Sequence, residues 1–593
     1  MKKILALGVI LTLLMSALPF TCVAAETGDT VTKLVNVAKN KPATTEHSRS
    51  ESYNPNVITD DNLTSANFWY GYVDSSTKPY ITIDLERRYK IEKIRIFDRG
   101  DVTMPTRGQF EIWGADKADF SDARMLFELN DNSLFPEKYD YIAELGEKPV
   151  ARYIRYQAKN AAVVYLREIQ VFATVTATEI TRKANTYTTT NIGSTGMGGD
   201  KLVDNDFGDS SAIYLKNVGN DESMSGIYSS FTIDLDSPKH VDMIEMYNRR
   251  GGGATDGGYR GNFTLYGSGD GTIKDFTMLS SDGVTPYGKI DKTAFEAILA
   301  EDGETKVYKK ITSIDSAVSD YTAKDGSIYC AFPNRADNDD RACYQTMLSG
   351  GETYRYLTYR KNKTAIGTGA NLVQIVEFRA YQIHPEIYDI SYADGKITLE
   401  FSEEMDYEAL VNAITVTDKE KGKAVEGIST EKDDLNPYKA VITLPEIFDA
   451  TLKIRVTNDA ENTKGVSLSK IYDKEIALPS AINTEEAGFT DEYGTVISLL
   501  AGKTKVCAKV KLKNNSSSAE RLLMIVSAYD ANHTLKAIKV LDEKIDGKAS
   551  GKEFSAELIT QSAFLTGDYV TVHLWNGLDN IKSWNAMQKL VAE

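Results

Sequence analysis

An acidic loop early in the chain collects side chains with the oxygen atoms that hard metal ions prefer. The stretch ITDDNLTS at 58–65 supplies such side chains at five positions: Asp60, Asp61, Asn62, Thr64 and Ser65. Calcium takes about six to eight oxygen ligands from carboxylates, amides, hydroxyls and backbone carbonyls. A similar loop, LVDNDFGDSS, occupies 202–211. Both loops therefore favour a calcium site, and a solvated turn without metal is the alternative for each.

Aromatic and polar side chains that suit sugar binding follow each loop. A sugar site needs an aromatic platform for the apolar side of a pyranose ring and polar groups for its hydroxyls. The candidates are Phe68, Trp69, Tyr70, Tyr72, His47, Arg49, Arg99 and Asp101 near the first loop, and Tyr214, Arg249 and Arg250 near the second. We expect Trp69 or Tyr70 to be the platform and Arg99 its polar partner. One or two of the aromatic residues must also fill a core.

The sequence contains no recognisable catalytic motif. Its five histidines are scattered, and no HExxH, G-x-S-x-G or P-loop pattern occurs. Carboxylate pairs are common in a chain with 85 acidic residues, so acid–base catalysis stays open. No segment of catalytic-barrel length is left over between the small β modules. The sequence predicts a protein that is not an enzyme, with a polysaccharide-active hydrolase of unrecognised site as an alternative.

Short alternating strands must position these side chains. The stretch YITIDLE places Ile81, Ile83 and Leu85 on one face of a strand, because successive side chains in a strand point to opposite faces. Turn residues separate such stretches at short intervals, which is typical of β-sandwiches. Helical patterns are few and short, for example DYEALVNAI at 406–414. The pattern predicts an all-β protein.

One strand pattern is written twice. FTIDLDSPKHVDMIEMYNR at 231–249 repeats ITIDLERRYKIEKIRIFDR at 81–99. The acidic loops and three further strands recur around it in the same order. We therefore predict two related domains, a first module at 34–174 and a second module at 175–383. The second module carries an insertion near 270–350.

The beginning of the chain predicts export. Residues 1–25 combine two lysines, an apolar run and small residues at Val23, Ala24 and Ala25, the pattern of a signal peptide. Cys22 as a lipoprotein anchor is the alternative, although the residues before it fit that motif poorly. No later stretch is long and apolar enough to span a membrane. We expect a secreted, extracellular protein that can associate with the cell surface or cell wall.

Charge and cysteine content exclude two further classes. The formal net charge is −17, with no basic stripe, which argues against nucleic acid as a partner. Cys330, Cys343 and Cys507 are too few to be a disulfide scaffold in an exported chain of this size. Cys330 and Cys343 enclose a polar loop, and we expect a disulfide between them, with two free thiols as the alternative.

Several stretches of the first module carry a resemblance to a known family. They read NVAKNKPATTEHSRSESYNPNVITDDN, FWYG, YITIDLERRYKIEKIRIF, RYIRYQ and LREIQVFA. They resemble the discoidin domain, or coagulation factor C-type domain, whose fold is shared by family 32 carbohydrate-binding modules. The second module matches this family more weakly. The resemblance implies an eight-stranded jelly roll with ligand-binding loops at one end and often a structural calcium ion.

The family pattern also implies particular calcium ligands. An Asp of the loop, a nearby hydroxyl residue and a Glu on the last strand share one ion. These positions correspond to Asp60, Thr64 and Glu168 in the first module, and to Asp204, Asp206, Ser210 and Glu377 in the second. Where family members commonly have Gly after the first Asp, this chain has Asp61 and Asn205, and both residue types can adopt such a turn.

Two shorter segments complete the chain. Residues 384–479 resemble Ig-like modules of bacterial surface-layer proteins, and 480–593 resemble terminal sandwich modules of clostridial extracellular proteins. Each has about 100 residues, the usual size of an Ig-like sandwich. The predicted fold is all-β and multimodular, with two discoidin-like jelly rolls followed by two smaller Ig-like sandwiches.

These observations lead to one functional hypothesis and two alternatives. The hypothesis is a secreted multimodular binding or adhesion protein that recognises extracellular or cell-wall carbohydrate, a polysaccharide or glycoconjugate, with structural calcium. The first alternative is a structural surface-layer or matrix protein whose discoidin-like domains contact proteins. The second is the hydrolase with an unrecognised site.

Overall fold

The computed structural model describes the greater part of the chain. The described residues are 30–63, 66–73, 77–99, 107–135, 140–159, 162–182, 184–188, 199–208, 213–215, 230–249, 260–268, 309–314, 321–322, 328–332, 343–349, 353–361, 373–578, 583–584 and 588–592. The predicted signal peptide, most of the insertion near 270–350, and the predicted site residues Thr64, Ser210, Asp101 and Arg250 lie outside them. Among the helices in these ranges, none has the length and apolar character to cross a membrane.

The protein is all-β and multimodular, as predicted. The described residues form strands in seven separate sheets and one short α-helix, α1 (Tyr407–Ala413). Single 3₁₀ turns occur at Pro55–Thr59, Asn132–Leu134 and Gly199–Leu202. The alternating apolar pattern explains the strands, because it gives each one a buried face and a face toward solvent.

The first nine strands build the first module. They are β1 (Thr30–Asn36), β2 (Ala43–Thr44), β3 (Trp69–Tyr72), β4 (Tyr80–Asp98), β5 (Gln109–Ala115), β6 (Arg124–Asn130), β7 (Asp140–Glu144), β8 (Val150–Ala158) and β9 (Val163–Glu179). The first half of β4 pairs with β2 and β8, and its second half pairs with β7 and β9. A register shift between Asp84 and Tyr89 separates the halves. Strand β4 therefore contributes to both layers, and the core lies between them.

The next eleven strands build the second module. They are β10 (Asn185–Thr188), β11 (Ile213–Leu215), β12 (Ser230–His240), β13 (Met243–Asn248), β14 (Phe263–Ser268), β15 (Lys309–Ile314), β16 (Tyr321–Thr322), β17 (Ile328–Tyr329), β18 (Tyr344–Met347), β19 (Thr353–Lys361) and β20 (Val373–Ile383). One layer has the order β10-β12-β19-β14-β15, and the other contains β18-β13-β20. Tyr359 fills the core between the rings of Phe231 and Phe263, at centroid distances of 4.9 and 5.1 Å. An aromatic stack therefore lies within a core that also contains aliphatic side chains.

A shared sheet joins the two modules. Strand β20 pairs antiparallel with the end of β9, and Tyr381, Gln382 and Ile383 lie opposite Glu179, Thr178 and Ala177. Lys33 adds a salt bridge to the buried Glu245 at 2.8 Å. The described residues of both modules belong to one compact unit, together with 401–406 and 458–470. The two modules therefore form one compact unit rather than two independent domains.

A buried ionic cluster lies beside this shared sheet. Arg87 of the first module contacts Asp242 of the second at 3.9 Å and also pairs with Glu403. Asp242 accepts hydrogen bonds from the His240 ring at 2.9 Å and from the Ile383 backbone N–H at 2.7 Å. Burial by itself raises the pKa of Asp242, but His240 and Arg87 outweigh it and hold that pKa well below its usual range. Asp242 is therefore an anion in the folded protein.

The remaining strands form two pairs of smaller sheets. They are β21 (Ile387–Ala393), β22 (Lys396–Phe401), β23 (Ile414–Asp418), β24 (Lys423–Ala424), β25 (Ser429–Lys432), β26 (Lys439–Thr443), β27 (Thr451–Val456), β28 (Tyr472–Ala477), β29 (Ile482–Thr490), β30 (Lys505–Asn514), β31 (Glu520–Tyr529), β32 (Leu535–Ile545), β33 (Lys552–Ile559), β34 (Tyr569–Trp575) and β35 (Gln588–Val591). The sheets have the orders β21-β22-β26-β25, β24-β23-β27-β28, β29-β30-β33 and β32-β31-β34-β35. The family assignment of these segments and all predicted domain limits stay predictions.

The expected disulfide is wrong. Among the described residues, Cys330, Cys343 and Cys507 form no disulfide. Cys330 is buried beside Arg260, with 3.5 Å between the guanidinium and the sulfur. Cys343 packs instead against Tyr247 in a different small cluster. The two thiols therefore have different neighbours in the second module.

Candidate functional site

Four half-buried aromatic side chains of the first module lie together and form what we call the aromatic patch. Its members are Tyr53, Phe68, Tyr70 and Tyr165. Tyr70 and Tyr165 are closest, with ring centroids 4.5 Å apart. Tyr53 lies 5.1 Å from Tyr70, and Phe68 lies 5.8 Å from Tyr165. The patch is a contiguous aromatic surface that combines predicted and unpredicted residues.

Strand geometry explains why these rings meet. In β3 the side chains alternate between the core and the outside, and Tyr70 and Tyr72 point outward. Tyr70 and Tyr165 are direct partners in the antiparallel pair of β3 and β9, so their rings share one face of the sheet. Tyr53 reaches the patch from the preceding loop, which is tied to β3 because the backbone N–H of Arg49 donates to the carbonyl of Tyr70 at 2.9 Å.

Trp69 is part of the core, so the expectation that it is a stacking platform is wrong. Its side chain is 0% exposed, because alternation along β3 turns it inward. The indole Nε1–H donates to Ser48 Oγ at 3.0 Å. A Cβ added at Gly71 would lie only 2.3 Å from the indole ring. Trp69 therefore fixes the loop that carries Tyr53, but it has no face to offer a ligand.

Two arginines border the aromatic patch. The Arg99 guanidinium lies 4.1 Å from the Phe68 ring centroid and 5.4 Å from that of Tyr165. Arg49 lies 4.4 Å from the Tyr72 ring and 5.8 Å from that of Tyr70. A cation within about 6 Å of an aromatic face is attracted by the ring quadrupole. The structure thus brings the predicted pair Tyr70 and Arg99 to one surface.

His47 and Arg249 lie elsewhere. The His47 ring packs edge-on against Tyr80 at 4.6 Å, and its Nδ1 accepts a hydrogen bond from the Tyr80 backbone N–H at 3.2 Å. Burial lowers the pKa of His47. Arg249 is half-buried and follows β13 in the second module, where its backbone N–H donates to Gln374. Neither residue belongs to the aromatic patch.

Sequence reasoning missed two members of the patch. Tyr53 lies in a loop of polar residues without periodicity, so no pattern pointed to it. Tyr165 stands three positions before Glu168 in VVYLREIQV. Tyr165 lies between the core residues Val164 and Leu166, so strand alternation could have predicted that Tyr165 faces outward. Its contact with Tyr70 depends on the pairing register, which the sequence does not state.

The first acidic loop is fastened to the last strand of its module. Asp61 adopts a left-handed backbone conformation with φ 59°, and its N–H donates to Glu168 Oε2 at 3.0 Å. The Asp61 carboxylate accepts from Gln170 at 3.0 Å and pairs with Lys39 at 2.5 Å. All four of these side chains are buried. Asp61 is therefore occupied by the protein's own donors.

Asp60 and Glu168 keep oxygens that suit a cation. The Asn67 amide nitrogen lies 3.0 Å from both oxygens of Asp60 and from the Asn62 carbonyl, so three oxygens converge on one neutral N–H donor. Glu168 is 0% exposed, and its Oε1 has no hydrogen-bond partner among the described residues. Burial, followed by the charges of Asp61 and Asp60, raises the pKa of Glu168 well above its usual range. This donor chemistry fits calcium.

The second acidic loop has the same backbone but different partners. Asn205 also has a left-handed conformation, with φ 62°, and its N–H donates to Glu377 Oε2 at 3.1 Å. Arg379 Nε donates to Glu377 Oε1 at 3.2 Å, and Lys201 pairs with Asp204 at 3.1 Å. Burial raises the pKa of Glu377 to about 8 although Arg379 opposes the shift. In the second module, Arg379 and Lys201 therefore already bring positive charge to the carboxylates of Glu377 and Asp204.

Acidic side chains alone do not build a metal cage in either module. Among the described residues, no group of three or more His, Cys, Asp or Glu side chains is placed to hold a metal ion. A calcium ion at the first loop would therefore also need carbonyl or hydroxyl oxygens, of the kind that calcium commonly accepts.

Comparisons with known proteins find structural neighbours. No protein-family model matches the sequence, and no curated protein matches it significantly. A fucolectin from Morone saxatilis (striped bass) serum is 14% identical and covers 59% of this chain and 99% of its own, with a TM-score of 0.22. A Streptococcus pneumoniae fucose binding module is 21% identical and covers 23% and 95%, with a TM-score of 0.20. A CBM32 module from a family 31 glycoside hydrolase of Clostridium perfringens is 17% identical and covers 23% and 96%, also at 0.20.

These neighbours are carbohydrate-binding modules by their descriptions, and one of them comes from a glycoside hydrolase. Their TM-scores and identities are too low to carry weight for the ligand of this chain. The candidate site therefore depends on the aromatic patch and the acidic loops themselves.

Proposed function

We propose that this chain is an extracellular binding protein that recognises a polysaccharide or glycoconjugate at the aromatic patch of its first module. The observation that supports this proposal is the contiguous aromatic surface between two arginines. Half-exposed rings suit the C–H face of a pyranose, and the Arg99 and Arg49 guanidinium groups can donate to its hydroxyls. Tyr70, Phe68 and Tyr165 are the contact residues in this proposal.

A structural calcium ion at the first acidic loop is part of the proposal. Asp60 and Glu168 would hold it, with the Thr64 hydroxyl as a third ligand. When bound, calcium would neutralise the buried Glu168 carboxylate, whose Oε1 has no other partner among the described residues. Because the loop carrying Asp60 precedes Phe68 and Tyr70, fixing it to β9 would also fix the approach to the aromatic patch.

Secretion and adhesion complete the proposal. The apolar leader at 1–25 supports export, and cell-wall association is one way in which a secreted glycan binder would act as an adhesin. The proposal is for a binding protein without catalytic activity. Release of reducing sugars from a polysaccharide by the full chain would favour the hydrolase alternative instead.

The deciding experiment is a glycan array with the full chain, followed by titration of the glycans that bind. A single stacking site predicts a dissociation constant on the order of 10⁻⁴ M. Phe68→Ala and Tyr70→Ala should each weaken binding by tenfold or more without changing the melting temperature greatly. Tyr493→Ala removes an aromatic side chain that is 85% exposed in the C-terminal segment, so it is the matched control and should bind normally.

Two results would contradict the proposal in different ways. No binding to an array of plant, bacterial and host glycans would reject the carbohydrate ligand and favour the structural surface-layer or matrix alternative. Binding that Phe68→Ala and Tyr70→Ala leave unchanged would reject the aromatic patch as the site. A protein partner captured through the same patch would also show as loss of capture in these two variants.

A further inference from the structure

The second module carries a guanidinium where the fold family implies a calcium ion. We propose that Arg379 replaces the metal in this module, so that its acidic loop is fastened to β20 without calcium. The first module keeps the metal-binding form of the same loop. The inference goes beyond glycan recognition and does not depend on which ligand the aromatic patch takes.

Strand register establishes that the two sites are equivalent. Glu168 on β9 lies opposite Phe97 of β4, and Glu377 on β20 lies opposite Tyr247 of β13. Residues two positions apart on a strand share a face. The residue that shares the face of Glu168 is Gln170, which is neutral, whereas Arg379 holds the matching position in the second module. Gln170 against Arg379 is thus one difference between the two sites, and Asp61 against Asn205 is another.

Arg379 makes the contacts that an ion would otherwise make. Its Nε donates to Glu377 Oε1 at 3.2 Å, and its Nη2 donates to the Asn205 side chain. The same guanidinium lies 3.7 Å from Glu179 and 4.7 Å from the Phe207 ring centroid. It therefore connects the acidic loop to the closing strand, which is the structural task that the family assigns to calcium.

The other predicted ligands of the second module also have partners. Asp204 pairs with Lys201 at 3.1 Å and accepts the Asp206 backbone N–H at 2.9 Å. Asp206 accepts the Gly208 N–H at 2.8 Å. A divalent cation placed here would have to displace Lys201 and lie close to the Arg379 guanidinium, and repulsion between like charges is strong at short range in a partly buried site. The donor set of the second module therefore does not fit calcium.

The first module differs at the corresponding points. Gln170 gives its amide to Asp61 and brings no charge, and Lys39 is balanced by Asp61 at 2.5 Å. Glu168 Oε1, fully buried, has no hydrogen-bond partner among the described residues. The difference predicts that the full chain binds one calcium ion rather than two.

Calcium stoichiometry of the full chain tests the inference. Equilibrium dialysis against calcium, with bound metal measured by mass spectrometry, should give one ion per wild-type chain. Arg379→Gln recreates the Gln170 arrangement and should give one ion more than wild type. Arg379→Lys keeps the positive charge and should not gain an ion. Gln170→Arg places the guanidinium in the first module and should remove its ion.

A second pair of variants keeps the test decisive if Arg379→Gln does not fold. Glu168→Gln should abolish calcium binding by the wild-type background, and Glu377→Gln should leave the stoichiometry unchanged. Two ions in the wild-type chain, or loss of an ion in Glu377→Gln, would overturn the inference. A folded Arg379→Gln chain with no additional ion would overturn it as well. If wild type binds no ion and Arg379→Gln binds one, the role of Arg379 stands and only the calcium proposal for the first module fails.

Discussion

The two modules place a glutamate at the same point of the same strand and surround it differently. Glu168 has a neutral neighbour, Gln170, whereas Glu377 pairs with Arg379 at 3.2 Å. The backbone of the two acidic loops is alike, because Asp61 and Asn205 have φ values of 59° and 62°. We propose that backbone and carboxylate together do not specify a metal, and that the charge of the residue two positions after the glutamate decides whether one is bound.

The strand pair that carries the aromatic patch in the first module also differs from its counterpart in the second module. Tyr70 lies opposite Tyr165 in the register of β3 and β9, while Tyr214 lies opposite Gln374 in the register of β11 and β20. At this register position the second module therefore has Gln374 where the first module has Tyr165. Arg249 holds the position of Arg99, since each follows the strand that pairs with the closing glutamate. These differences favour the first module as the ligand-binding one.

The largest effect is expected at Trp69, which fills the core beside the outward-facing Tyr70 of β3. Trp69→Ala should reduce the free energy of unfolding by about 3–5 kcal/mol, because it leaves a cavity where the indole was fully buried. The neighbouring Tyr70→Ala should cost less than about 1 kcal/mol. Thermal denaturation of both variants measures the contrast. Similar melting temperatures for the two would show that β3 does not alternate as described.

The next effect concerns the ionic cluster that both modules share. Asp242→Asn leaves Arg87 without one of its buried anions and should reduce stability at neutral pH by about 3 kcal/mol. Because the folded pKa of Asp242 lies below its ordinary value of 3.8, its stabilising contribution is complete above that pH and is lost as pH falls further. Denaturation at pH 7 and below pH 3 should show the difference between wild type and variant shrinking in acid. A difference that does not depend on pH would contradict this assignment.

A smaller effect, the stabilisation by calcium, is expected to distinguish Glu168 from Glu377. At ten times its dissociation constant, calcium should stabilise the chain by about 1.4 kcal/mol, and chelator should remove that gain. Glu168→Gln should abolish the calcium response and raise stability in chelator, because it removes a buried charge that has no cation of its own. Glu377→Gln should instead keep the calcium response of the wild type, because Glu377 contacts Arg379 rather than a metal ion. Melting curves with and without calcium give both comparisons, and equal behaviour of the variants would end the distinction between the modules.

The smallest effect is expected at the two equivalent arginines. Arg99→Ala should weaken glycan binding by about fivefold, or about 1 kcal/mol, since the guanidinium both stacks on Phe68 and can donate to the ligand. Arg249→Ala should leave the affinity unchanged. Titration with a glycan selected on the array measures both variants. Weaker binding in Arg249→Ala would move part of the site to the second module.

Local periodicity predicted the fold class, and the position of Phe68 and Tyr70 after the first acidic loop predicted half of the aromatic patch. Alternation identified the strands, and the repeated line at 81–99 and 231–249 identified two related modules. The same period of two could have shown that only one of Trp69 and Tyr70 is a platform, because the two cannot both face outward in one regular strand. It could also have linked Arg379 to Glu377, since the two residues share a face of β20.

Contacts between distant parts of the chain lay beyond sequence reasoning. The meeting of Tyr53 with Tyr70 depends on how a loop folds over β3, and the pairing of Lys39 with Asp61 depends on the position of two loops. That Cys330 and Cys343 form no disulfide in the described part of the chain has the same origin, since packing in the second module, rather than their short separation in sequence, determines where each sulfur lies.

The pairing of β9 with β20 has a consequence for the synthesis of the protein and for truncated fragments of it. Synthesis delivers the first module before β20 exists, so Ala177–Glu179 present an open strand edge until the far end of the second module arrives. A chain shortened after β9 would keep that edge open permanently. It would also leave Lys33 without Glu245 and Arg87 without Asp242. The first module therefore depends on the second for these contacts. A fragment that contains the first module alone would be prone to associate through the unpaired edge of β9.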